Sequence, residues 1–98
     1  MNIEWTLEAK KDFKKIYKFY TIHFSKKIAQ KIKGEVLSKV KTLELGTELG
    51  QEEGLLKHLN LGHRYLLSNH NKTIYKVENK TAYTTHVFDI RQNPEKLG

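Results

Sequence analysis

Apolar residues recur along the first half of the chain at helical spacing. After Ala9 come Phe13, Ile16, Tyr17, Tyr20 and Phe24, in steps of 4, 3, 1, 3 and 4. Such steps place the side chains on one stripe of an α-helix. Lys10, Lys11, Lys14, Lys15 and Lys18 fall mostly on the other side. Thr6 offers a capping oxygen ahead of this helix, and Glu8 lies in the first turn, where the helix dipole favours an anion. Ser25 is the next N-cap. A second stripe follows it, Ala29, Ile32, Val36, Val40 and Leu43, with Ile28 and Leu37 beside it. Gly46 is expected to end this helix in the left-handed conformation. Two amphipathic helices joined by so short a turn form an antiparallel hairpin.

Elsewhere the pattern changes to that of strands. Residues 2–6 alternate polar and apolar, which predicts a short strand. Residues 63–68, 72–77 and 82–90 are rich in β-branched and aromatic side chains. The polar turns Asn69-His70-Asn71 and Asn79-Lys80 separate them. A meander is the simplest pairing, its apolar face set against the helix hairpin. Residues 46–54 hold three glycines and three acids and predict a mobile loop. Residues 55–59 fit either a helical turn or an extended lead-in, and 92–98 a loose terminus. The expected class is α+β, in the order β-α-α-β-β-β, as one domain over residues 1–98. No repeat or low-complexity stretch interrupts it.

Composition narrows the chemistry. With 98 residues, about 65% of the extended chain's surface is buried on folding, enough for one modest core. Any site must be an open groove or a surface. Cysteine is absent, which excludes disulfides, thiolate nucleophiles and cysteine zinc sites. A small chain without disulfides leans toward the cytoplasm. Met1-Asn2-Ile3-Glu4-Trp5 shows no basic start followed by an apolar stretch, and no apolar run approaches the ~18 residues of a membrane span. The net charge is +7. Residues 1–45 carry 11 lysines against 5 acids, and residues 46–98 carry 7 Lys or Arg against 6 acids. The excess therefore lies on the helices. Such a face suits nucleic acid, a ribosome or an acidic protein, or is simply a solvated lysine surface.

Four segments carry a resemblance. They are Trp5 with Ala9-Lys-Lys-Asp-Phe-Lys-Lys-Ile16, Tyr20, Ser25 and Ala29; Gly62-His-Arg64-Tyr-Leu-Leu; Thr73-Ile-Tyr75-Lys-Val77; and His86-Val-Phe-Asp-Ile-Arg91-Gln-Asn-Pro94. In order, spacing and chain length they resemble the RelE/ParE superfamily of toxins from bacterial type II toxin–antitoxin systems. The resemblance implies a growth inhibitor, a co-expressed antitoxin that neutralises it in a hetero-oligomer, and no cofactor. It leaves two targets open. ParE-like members inhibit DNA gyrase and are not nucleases. RelE-like members cut messenger RNA on the ribosome.

Metal-free RNA cleavage needs a base, an acid and cations near the phosphate. By the resemblance, the residues for such work are Arg64, Arg91, Lys72 and His86. Each has a plainer role. Arg64 can form a structural ion pair or pack its stem on the sheet. Arg91 can pair with Asp89, two residues away on the same strand face. Lys72 stands where RelE-like nucleases carry arginine, and offers a point charge in place of a planar fork. His86 shares parity with Phe88 and faces the core or an edge. Lys57 and His58 are weaker candidates beside a groove, and His63 and His70 read as strand-end and turn residues. The histidines lack metal-ligand spacing, so no metal is expected.

Two departures favour the ParE-like branch. RelE-like nucleases commonly place a tyrosine or histidine after the last-strand arginine. Here Gln92 to Gly98 offers only Glu95, while Tyr75 and Tyr83 belong to strands. The long hairpin is also more ParE-like. A third reading, a plain basic nucleic-acid-binding module, meets the objection that most aromatics fall on core stripes.

Overall fold

The computed structural model describes residues 2–46, 50–52 and 62–91. Among the described residues are five strands and two α-helices: β1 Asn2–Trp5, α1 Leu7–His23, α2 Lys26–Lys41, β2 Gln51–Glu52, β3 Arg64–Ser68, β4 Asn71–Glu78 and β5 Thr81–Asp89. The class is α+β, with the helix hairpin on one face of the sheet. Residues 55–59 and 92–98 of the sequence reading lie outside the described residues, as do Lys57, His58 and Glu95.

Both helices begin where capping chemistry puts them. The Thr6 hydroxyl oxygen accepts the Ala9 N–H at 3.2 Å, and that of Ser25 accepts the Ile28 N–H at 3.1 Å. Their ends differ from expectation. α1 stops at His23, and Phe24 turns to φ −129°, ψ −95°. That turn lifts the Phe24 ring off the core stripe, and the residue is 57% exposed. α2 stops at Lys41 and tightens into a 3-10 turn over Thr42–Glu44. Gly46 donates to the Leu43 carbonyl at 3.2 Å and does not take a positive φ. A tightened last turn thus satisfies the final carbonyls in place of a left-handed glycine.

The sheet order is β1-β5-β4-β3-β2. The meander β3-β4-β5 is antiparallel, as the turn residues predict. Asn79 and Lys80 both have positive φ, 49° and 61°, the requirement of a two-residue hairpin whose twist matches its strands. β1 adds in parallel to β5, pairing Asn2 with Thr81 through Trp5 with Thr84. Gln51 and Glu52 lie in the segment read as loop, and instead form β2 on β3.

Where β1 ends, α1 takes over the outer edge of β5. Thr6 bonds the Thr84 carbonyl through both its amide, at 3.1 Å, and its hydroxyl, at 2.9 Å. The Asp12 carboxylate then accepts the Val87 N–H at 3.1 Å. Between them, register slips from Tyr75↔Thr84 to Ile74↔His86, leaving Thr85 as the extra residue of a β-bulge. The edge is covered by a carboxylate and a helix, which prevents further strand addition there.

The core lies between the hairpin and the sheet. Ile16 and Tyr20 from α1, Ala29, Val36 and Val40 from α2, and Leu43 meet Leu66, Tyr75, Ala82 and Val87. Val36 is fully buried, and its side chain stabilises the fold by about 1.5–3 kcal/mol.

Candidate functional site

Arg64 and Leu66 alternate with Tyr65 along β3, so Arg64 shares the helix-covered face with Leu66 and with its register partner Tyr75. Its guanidinium donates from Nη1 to the Gly50 carbonyl at 2.9 Å. The Gly50 amide in turn donates to the Tyr75 hydroxyl at 3.0 Å. Both polar groups of one buried peptide position, at the entry to β2, are thereby held. Burial raises the Tyr75 phenol above its ordinary value, against the lowering effects of the Gly50 amide and the nearby Arg64. Only glycine fits: an added Cβ would meet the Tyr75 oxygen at 2.5 Å and the Tyr65 carbonyl at 2.7 Å.

Arg91 lies just past β5 and grips Asp89. Its Nε reaches both carboxylate oxygens, at 2.9 and 3.2 Å, and Nη2 bonds both Asp89 Oδ2 and the Tyr20 hydroxyl, the latter at 3.0 Å. The Arg91 backbone N–H adds a bond to Asp89 at 2.9 Å. The pair suggested by two-residue spacing is present. The guanidinium holds the Asp89 carboxyl below the usual range, against the raising effect of burial. Burial first, and then the Asp89 charge, raise the Tyr20 phenol.

Lys72 occupies the opposite sheet face, in register with Leu67 and Phe88. Its ammonium sits 4.2 Å from the Tyr65 ring centroid and 5.8 Å from that of Phe88, a cation–π arrangement. His86, next to the bulge, places Nδ1 3.9 Å from Asp12 Oδ2. Asp12 is itself pushed up by burial, with the Val87 amide and His86 opposing. His63 is buried before β3, and His70 is exposed in the turn, where its carbonyl accepts the Ile90 N–H at 2.7 Å. Tyr75 is fully buried, whereas Tyr83 is half-buried.

The four candidates do not converge. Arg64 is level with Tyr75 and Thr84, while Arg91 follows Asp89, which is level with Asn71 and Ser68. At about 3.3 Å per residue the two arginines' strand positions are on the order of 15 Å apart along the sheet. Lys72 points from the other face, and His86 is drawn to Asp12. Among the described residues, no group of three or more His, Cys, Asp or Glu is placed to hold a metal ion.

A feature the sequence did not single out is a groove of about 560 Å³ along the outside of the hairpin. Trp5 and Phe13 stack at 5.3 Å with rings 15° apart, and Leu7, Tyr17 and Leu37 extend this apolar floor. Lys10, Lys11, Lys14 and Lys33 surround it, Lys33 lying 5.7 Å from the Tyr17 ring centroid. The only signal in the sequence was Leu37, apolar but beside its stripe. Trp5 comes from β1, so no single-helix pattern could show the groove.

A model of the ParE toxin of the type II toxin–antitoxin system parDE matches residues 3–94. The chain belongs to the ParE toxin family. This ParE-family chain is also similar in fold to a solved structure of a chromosomal ParDE toxin–antitoxin system from P. aeruginosa. The TM-score is 0.76 at 20% identity, covering 91% of this chain and 95% of that one. No curated protein matches the sequence. Among the described residues of this toxin, no helix is long and apolar enough to cross a membrane.

Proposed function

We propose that this toxin acts in the cytoplasm as one domain over residues 1–98, by binding DNA gyrase and without cleaving RNA. A cognate antitoxin neutralises it. The observation that carries this reading is the dispersal of the candidate cations. Arg64 is engaged with a backbone carbonyl and Arg91 with Asp89 and Tyr20, at strand positions on the order of 15 Å apart. A phosphorane-like charge needs donors preorganised around one point, and these are not. Membership of the ParE family points the same way.

The lysine-rimmed groove is the seat we assign to the antitoxin. Its floor suits the apolar face of an amphipathic helix, and its rim suits acidic residues on that helix. Such a segment, disordered when free, would order on docking.

The test is induced expression of this chain alone, following growth, bulk mRNA integrity and plasmid supercoiling together. Growth arrest with altered supercoiling and intact mRNA is the expected result. Arrest with mRNA cut at ribosome-bound positions would replace the gyrase reading with the ribonuclease one. Normal growth would remove the toxin reading.

A further inference from the structure

The tip of the helix hairpin carries a second apolar surface. Phe19, Ile22 and Phe24 are 42%, 64% and 57% exposed. The Phe19 ring lies 4.5 Å from the His23 ring and 6.5 Å from that of Phe24. Ile22 is three residues from Phe19, hence its neighbour on the helix surface. Single exposed apolar side chains are ordinary, but a clustered set with ring contacts is a feature of interaction surfaces.

This surface is distinct from the groove. At 3.6 residues per turn, Ile22 is roughly 180° around α1 from Phe13, and Phe19 is roughly 160° from Tyr17. Phe13 and Tyr17 line the groove. The tip's apolar side chains on α1 therefore point away from the aromatic floor of the proposed antitoxin seat, whose rim residue Lys11 lies on the Ile22 side of the helix.

Its electrostatics are one-sided. Lys15 and Lys18 stand one turn before Phe19 and Ile22, and Lys26 and Lys27 open α2; all four are exposed. From Phe13 to Gly34 there are seven lysines and no aspartate or glutamate. A second copy of the chain would bring the same lysines against these and be repelled. A nucleic-acid backbone would satisfy the lysines but leave Ile22 and Phe24 in water. An acidic protein face with an apolar recess satisfies both, with the buried apolar side chains as anchors and the charges steering approach.

We infer that the hairpin tip is the surface with which this toxin engages its target, an acidic face of gyrase. The inference rests on the gyrase reading above. It is tested with the full chain and purified bacterial gyrase in a supercoiling assay, using Ile22→Asp and, separately, the pair Lys18→Glu/Lys26→Glu. Lys41→Glu, about 22 Å away at the far end of α2, controls for bulk charge. Thermal melts confirm that each variant folds. Both tip variants should need at least tenfold more protein for half-inhibition, with Lys41→Glu within twofold of the unaltered chain. A photo-crosslinker at position 22 should capture a gyrase subunit. Unchanged inhibition by the folded tip variants, or capture of DNA or a second toxin chain, would overturn this inference alone. Failure of the unaltered chain to inhibit gyrase would overturn the proposed function and this inference together.

Discussion

Arg64 and Arg91 each lie beside a tyrosine on the helix-covered side of the sheet, and they hold different things. Arg91 reaches back two residues to Asp89 and only then to Tyr20 of α1. Arg64 reaches across 14 residues to a backbone carbonyl, and Tyr75 reaches 25 to the amide of the same glycine. The Arg91 cluster is a side-chain pair, with the Arg91 side chain 53% exposed and that of Asp89 8% exposed. The Arg64 cluster ties down a buried backbone segment. The contrast teaches that an arginine conspicuous in sequence can be committed to structure by a partner that the local sequence does not announce. The Arg91 guanidinium is half-exposed, so water and salt screen its charge, and without it the buried Asp89 carboxylate still accepts from the Arg91 backbone N–H and the Tyr20 hydroxyl. A buried backbone group left without its partner costs the full desolvation of that group.

The sharpest way to break this comparison is Gly50→Ala. The added carbon meets the Tyr75 hydroxyl and the Tyr65 carbonyl, and one of these is backbone. A loss of about 2–3 kcal/mol, of the size seen for overpacked cores, is expected in denaturant melts. Melts as stable as those of the unaltered chain would show that this clamp is not tight.

Next in size is Tyr75→Phe, which keeps the ring and strips the oxygen that accepts the Gly50 amide. Burial of an unpaired N–H should cost about 1–3 kcal/mol. Arg64→Ala should cost about 1–2 kcal/mol by the same logic, the guanidinium being part-buried. Hydrogen exchange sharpens the assignment: in both variants the Gly50 amide should exchange faster, while the Ile90 amide, bonded to the His70 carbonyl, should not change.

The smallest effect belongs to the other arginine and is best read against pH. Asp89 is held below its ordinary carboxylate value, so its pairing stabilises the protein fully above that value. The contribution fades as pH falls from about 4 downward through the folded-state value. Asp89→Asn should lower Tm modestly at pH 7 and flatten the decline of Tm below pH 4. An unchanged acid slope would mean that Asp89 titrates alike folded and unfolded. Arg91→Ala should give a smaller shift in Tm than Arg64→Ala, and the reverse order would invert the comparison drawn above.

Periodicity and capping were enough to place the two helices and the meander. Apolar side chains must leave water, and a 3.6-residue or 2-residue repeat is how a helix or strand presents them to one side. The caps at Thr6 and Ser25 and the Asn79-Lys80 turn were legible for a similarly local reason, since each satisfies backbone groups within a few residues. The same locality made the Arg91–Asp89 pair readable. Other features required the assembled fold. Phe24 left its stripe because α1 ended one residue before it. Gln51 and Glu52 became a strand because β3 offered a free edge. The parallel placement of β1 and the hold of Asp12 on Val87 depend on segments some 75 to 80 residues apart, and the bulge at Thr85 lies on β5 between these two contacts. The groove, built from β1, α1 and α2, and the separation of Arg64 from Arg91 are likewise properties of chain crossing. One sequence window carries the repeat that folds an element, whereas a surface or a clamp exists only after distant elements meet and desolvate each other.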